Sequence, residues 1–354
     1  MPLPNMPYID FATKYYVNPK FNLAMSDVPH PDLKEYLFSE ELINLMENHP
    51  CLLMQSLVQI IADKYGVKTT QVELTMGVTN SFSIVGQIMK DLGHTTVLSE
   101  CPGYEPLWLT PKGMGLDLKE VKRELPDYSF DLNKLDDIAK ANSWLWMTNS
   151  HNPSGRYFNL GEMKEIIEVM KKNNSYVFVD EIYHDFCTPL GQDSAVHLSD
   201  NVIIANGLTK TYGLGTLKIG WMIGPEQLIK RATLARLHQY MLVPGPSLAL
   251  TNLFMKDQER LRENQVARVN INRNYVKKYL CDEDLFIPST GTIGLLKLPS
   301  AIDDIELAKK AMIDQGLALT PGAFFKHPGF LRISYAGELD NVRQGLDLLK
   351  VNLA

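Results

Sequence analysis

Apolar and polar positions along this chain follow two alternating patterns. One repeats at helical spacing. Leu52, Leu53, Ser56, Leu57, Ile60, Ile61 and Tyr65 share one helical face, Gly66 is placed to end that helix, and the stripe reads as core. Residues 160–172 repeat the pattern, with Met163, Ile166, Ile167 and Met170 on one side. The other pattern is a short strand-like run, most often continuously apolar. Such runs occupy residues 72–76, 96–99, 116–121, 144–147, 176–179, 202–205 and 221–224, with helical stretches at 81–91, 132–141 and 160–172 between them. Continuous apolar strands alternating with helices predict an α/β fold with a parallel sheet covered on both faces.

The ends of the chain differ from this middle. Residues 1–35 are rich in proline and show little periodicity, so they read as an extended arm with short helical pieces. A short helix is expected at 40–46 and another at 225–241. Residues 247–280 form a long, largely helical stretch rich in Arg, Asn and Gln, read as a connector. Beyond it, strands at 294–298, 317–319 and 330–334 with helices at 302–315 and 338–351 suggest a small α/β domain. The expected divisions are an arm at 1–35 packed near the small domain, a large domain at 36–262 and a small domain at 263–354.

Composition adds exclusions. The 354 residues are 45% hydrophobic, enough for about two domains. The formal charge is -6 and no basic run appears, so no nucleic-acid partner is expected. No apolar run reaches the roughly 18 residues that cross a bilayer, and the first residues lack a secretory pattern, so no membrane partner and a cytoplasmic location are expected. Cys51, Cys101, Cys187 and Cys281 are widely spaced and read as buried free thiols. No Cys/His cluster has metal-ligand spacing, so no metal is expected, and His94 and His197 read as structural or exposed.

Candidate chemistry gathers just past strand ends, where parallel sheets place their sites. Gly77, Tyr104, Asn152, Asp180 and Lys210 all lie there. Gly77-Val78-Thr79-Asn80 joins a strand to a helix and suits an anion, although Thr79 or Asn80 could simply cap the helix. Lys210 sits in a glycine-rich loop that can bring it close to a ligand or leave it in solvent.

Six motifs occur together and in order: Gly77-Val-Thr-Asn80, Pro102-Gly-Tyr104, His151-Asn-Pro-Ser-Gly155, Asp180-Glu-Ile-Tyr183, Thr209-Lys210 and Phe330-Leu-Arg-Ile-Ser334. Together they resemble the class I/II aminotransferases of the fold-type I enzymes that use pyridoxal 5'-phosphate (PLP). The resemblance implies a seven-stranded, mostly parallel sheet in the large domain and a homodimer with its site at the interface. It implies that Lys210 forms the Schiff base with PLP and then carries the proton, and that Asp180 pairs with the pyridine nitrogen. Asn152 and Tyr183 would donate to the phenolate oxygen, and Tyr104 would stack on the ring. Val78, Thr79, Asn80, Thr209 and Lys218 would hold the phosphate. Arg332, with Asn152, would take the substrate carboxylate.

The implied reaction is transamination between an L-amino acid and a 2-oxo acid. The loop 151–156 is also similar to that of carbon–sulfur β-lyases, and amino-acid decarboxylases share the same machinery. A non-catalytic PLP-binding module is a further reading, which the lack of a helix-turn-helix region disfavours. Three departures from the family pattern stand out. Gly207 replaces a hydroxyl residue and Lys218 replaces an arginine, which predicts weaker PLP retention. No tyrosine precedes the helix of residues 57–65, where Glu47-Asn-His-Pro-Cys51 stands instead. Tyr240, Met241 and the turn at 243–246 are expected to line the substrate pocket.

Overall fold

The computed structural model describes residues 3–353. The arm contributes a helix, Pro7–Tyr15, and the two-residue strand β1, Phe21–Asn22. The main strands follow as β2 Val72–Thr75, β3 Thr96–Cys101, β4 Asp117–Glu124, β5 Ser129–Phe130, β6 Trp144–Thr148, β7 Tyr176–Asp180, β8 Val202–Gly207 and β9 Gly220–Ile223. The C-terminal part holds β10 Leu285–Phe286, β11 Ile293–Lys297, β12 Leu317–Ala318, β13 Thr320–Pro321 and β14 Phe330–Ser334.

The large sheet runs β2-β9-β8-β7-β6-β3-β4-β5. It therefore has eight strands, one more than the resemblance implies. The extra strand, β5, is a two-residue antiparallel partner for Arg123 and Glu124 at the edge, too short to leave an apolar run. The four ladders from β8 to β4 are parallel. Only β9 among the long strands is reversed, pairing antiparallel with both β8 and β2. Two reversals cancel, so the carboxyl end of β2 lies on the same rim as those of β8, β7, β6 and β3.

Alternate residues of each central strand enter opposite cores, as period-two geometry requires. Trp144, Trp146, Phe178 and Ile203 join Phe82, Val85 and Ile229 on one face. Leu145, Met147, Val177 and Ile204 join Leu57, Ile61, Ile166 and Leu248 on the other. Both faces are apolar, which is why these strands read as continuous runs.

A separate four-stranded sheet, β10-β11-β14-β13, carries the C-terminal part. The arm is stitched to it: β1 pairs in parallel with β12, and Ser334 N–H donates to the Leu23 carbonyl at 2.8 Å. A single helix, Gln258–Tyr279, spans the expected 262/263 division.

Two expectations are corrected. The helix Pro50–Tyr65 buries Leu53, Met54, Leu57, Ile61, Ala62 and Tyr65, whereas Leu52 and Ser56 face outward. Its apolar stripe is rotated, because Met54 and Ala62 supply the core positions. The cysteines are free but not deeply buried: Cys51 and Cys281 are exposed at helix ends, and Cys101 and Cys187 are half-buried. Among the described residues, no helix is long and apolar enough to cross a membrane.

Candidate active site

The rim shared by these carboxyl ends opens onto a cavity of about 250 Å³. Its lining includes Val78, Thr79, Tyr104, Asn152, Asp180, Tyr183, Thr209, Lys210, Lys218 and Arg332. Residues as far apart in sequence as Val78 and Arg332 thus meet at one place.

Asp180 is the last residue of β7 and is buried. One carboxylate oxygen accepts the Ile182 N–H at 3.0 Å, and among the described residues no cation forms a salt bridge with it. Burial pushes its acid up to about 7 from 3.8, only partly opposed by the Ile182 N–H. A buried carboxylate without a counter-ion fits a protonated ring nitrogen. It also sets a stability slope in the cofactor-free protein. The folded state binds this proton more tightly than the unfolded one, so stability is greatest below the unfolded value and falls with rising pH until the folded group has titrated. Between pH about 4 and about 7 the loss is on the order of 4 kcal/mol. Denaturant unfolding at the two ends of that window is expected to show it, and Asp180→Asn should lack this part of the slope. Identical pH dependence in the two proteins would contradict the raised acid.

Lys210 stands in the short helix Thr209–Tyr212, directly after β8. Its ammonium lies 3.6 Å from Asp27. Burial by itself lowers the lysine, yet Tyr183, Asp27, Tyr8 and Tyr104 around it leave it raised. The Tyr183 hydroxyl lies 2.6 Å from Ser26 Oγ.

Arg332, in the middle of β14, is 2% exposed. Its Nη1 donates to Asn152 Oδ1 at 2.9 Å, and its Nη2 donates to the Tyr8 hydroxyl at 3.1 Å and the Ala24 carbonyl at 2.6 Å. Its Nε is buried with no partner, a donor left for a ligand. Asn152 is fixed in turn, because its N–H donates to Thr148 Oγ1 at 2.9 Å and Thr148 donates to Glu100 at 2.6 Å. Glu100 is held by the buried Arg123 at 2.5 Å.

At the other end, Gly77 has φ 75°, which a side chain would strain, and it opens the helix Val78–Asp91. The start of this helix faces the cavity with Thr209 and Lys218, a donor set suited to a phosphate. Lys218 arrives here because β9, which follows it, begins on this rim. Asn80 departs from expectation. Its N–H donates to the Gly77 carbonyl, and its side chain bonds Met76 N and Gln239, so it caps the turn outside the cavity. Tyr240 and Met241 are also outside: Tyr240 donates to the Leu74 carbonyl at 3.2 Å, and Met241 is exposed. His49 caps the helix Pro50–Tyr65 by accepting the Cys51 N–H.

The cavity also contains Tyr8, Ser26 and Thr148, which sequence reasoning missed. Tyr8 meets Tyr104 edge-on at 6.3 Å, and its backbone N–H is received by the Glu105 carboxylate at 2.9 Å. The donor set as a whole fits a flat heteroaromatic phosphate of the PLP type: a buried acid, the amides of a helix start with a cation, and an amine, all within the same cavity.

Comparison with known proteins agrees. The family profile described as Aminotransferase class I and II matches residues 42–349. A histidinol-phosphate aminotransferase of Caldicellulosiruptor saccharolyticus is 23% identical, over 80% of this chain and 77% of its own. An aspartate aminotransferase of Streptomyces avermitilis is 26% identical, over 81% of this chain and 75% of its own. The crystal structure of a PLP-dependent aminotransferase from Streptococcus suis superposes with a TM-score of 0.87 at 20% identity, covering 100% of this chain and 98% of that one.

Proposed function

The chain belongs to the class I and II aminotransferases, enzymes that use pyridoxal phosphate, and on that premise we propose that it moves an amino group between an L-amino acid and a 2-oxo acid by a ping-pong mechanism. The observation that carries this reading is one cavity lined by Asp180, Lys210 and Arg332, an acid, an amine and a carboxylate-binding fork. When bound, PLP supplies a carbonyl that takes up the amino group and a ring that accepts the electrons of a broken Cα–H bond. Asp180 would hold the ring nitrogen protonated, Asn152 and Tyr183 would donate to the phenolate oxygen, and Tyr104 would pack on the ring. Val78, Thr79, Thr209 and Lys218 would take the phosphate. Arg332 would orient the substrate by its carboxylate, and Lys210 Nζ would anchor the cofactor and move the substrate proton.

The reading includes a homodimer in a reducing cytoplasm. An exposed apolar band supports it: Phe38, Ile43, Met46 and Leu52 are all more than half exposed, with Phe38 at 84%. It also keeps the arm, large and small domains at 1–35, 36–262 and 263–354, supported by the separation of the two sheets. Its test is spectral. An L-amino acid donor is expected to change the visible absorption of the loaded enzyme, a 2-oxo acid to restore it, and double-reciprocal rate plots to be parallel. No interconversion across a broad donor panel would end the reading, and pyruvate with ammonia from a cysteine-like substrate would favour the β-lyase.

The thin phosphate grip has a physical cause on one side. A Cβ on Gly207 would lie 2.9 Å from the Ile219 carbonyl oxygen and 3.2 Å from Gly220 Cα. A Cβ on Gly220 would lie 2.9 Å from Gly77. The three glycines pack on one another, so no hydroxyl residue fits at 207 without moving backbone. Lys218→Arg is therefore expected to slow PLP loss on dialysis several-fold, whereas Gly207→Ser should accelerate it. Equal retention in Lys218→Arg and the parent would show that the single ammonium suffices.

A further inference from the structure

Three consecutive residues of the arm close on the Tyr183–Lys210 pair. Ser26 Oγ lies 2.6 Å from the Tyr183 hydroxyl. Asp27 Oδ1 lies 3.6 Å from Lys210 Nζ. The Val28 N–H donates to the Lys210 carbonyl at 3.2 Å. The segment is fixed from behind, where Thr292 donates to the Ser26 carbonyl at 3.0 Å. The Val28 and Pro29 carbonyl oxygens also press on Gly213, where a Cβ would stand 2.8 and 2.5 Å from them. Packing alone does not call for a carboxylate here.

A lysine that removes a proton from carbon becomes an ammonium inside a cavity. A buried ammonium without a partner is costly. The groups facing Lys210 are Asp27 and Tyr8 from the arm, Tyr104 from the loop after β3, and Asp180 and Tyr183 from the end of β7. The three tyrosines bring hydroxyls rather than carboxylates, and the Asp180 carboxylate is committed to the ring nitrogen in the reading above. Asp27 is thus the one full negative charge left for the amine.

We propose that Asp27 is the counter-ion of the Lys210 ammonium, a positioning residue that receives the lysine amine whenever it is released and protonated. The inference rests on Lys210 being the proton carrier. At 3.6 Å the pair is longer than a charge-assisted hydrogen bond, so it holds the amine without trapping it. Removing the carboxylate leaves the amine easier to deprotonate, by about one pH unit for a charge at this range.

The test uses the full chain freed of cofactor, and the probe is acetic anhydride. Acetylation of Lys210 is followed by mass spectrometry at pH about 8, with the exposed Lys68 as internal reference. Asp27→Asn and Asp27→Ser are each expected to raise the Lys210 rate about tenfold, and Asp27→Glu to leave it within about twofold of the parent. In the loaded enzyme, the basic limb of the kcat profile should move about one unit lower in Asp27→Asn. Unchanged Lys210 labelling in both neutral variants would overturn the inference. Failure of the underlying reading shows separately, as turnover retained by Lys210→Ala.

Discussion

Lys210→Ala is expected to abolish turnover, lowering kcat by at least about ten-thousandfold, the upper range for loss of a positioned acid–base group. The protein itself should remain folded. The only ion pair of Lys210 among the described residues is the 3.6 Å contact with Asp27, and the lysine side chain is 24% exposed, so little stability is at stake. A second amine, Lys218, lines the same cavity but cannot take over. It sits at φ 54° in the loop just before β9, among the groups proposed to hold the phosphate. The change is read by steady-state turnover, the visible spectrum and a circular-dichroism melt. An alanine variant that keeps more than about one hundredth of parental kcat with normal melting would remove Lys210 from the chemistry.

Arg332→Lys is the second large effect. It keeps the charge and loses the fork. One ammonium cannot hold Asn152 Oδ1 and the Ala24 carbonyl together while also offering a donor in place of the unpaired Nε. For substrates carrying an α-carboxylate, kcat/KM is expected to fall about a hundredfold, roughly 3 kcal/mol of transition-state binding. For an amine without that carboxylate, the change should stay within a few-fold. That contrast separates carboxylate recognition from general damage to the site. Equal losses on both substrates would assign Arg332 to structure alone, supporting the arm through Tyr8 and Ala24.

Much of this site is legible in the sequence, for a definable reason. Strand ends in a parallel sheet converge, so residues just past apolar runs are neighbours whatever lies between them, and Tyr104, Asn152, Asp180 and Lys210 follow that rule. Asn80 does not, because its N–H is taken by the Gly77 carbonyl and its side chain by Met76 N and Gln239. Tyr8, Ser26 and Asp27 were invisible. They lie in a proline-rich segment without periodicity, and their partners Arg332, Tyr183 and Lys210 are more than 150 residues away. The strand β5 and the outward turn of Leu52 were missed because two residues make no pattern, and because an isolated helix does not reveal which edge of its stripe meets the sheet.

The stitching of the arm to the C-terminal sheet has a consequence in time. Leu23 waits for Ser334, and β1 waits for β12. At a synthesis rate of roughly 5–20 residues per second, about 15–60 s separate the birth of the two partners on the ribosome. Throughout that interval the large sheet can form and already offers Glu105, Tyr183 and Lys210 to the arm, but Thr292, β12, Arg332 and Ser334, which hold the arm from the other side, do not yet exist. The nascent chain can therefore present a cofactor-sized hollow well before it owns Arg332, and a complete cavity waits for the C-terminal sheet.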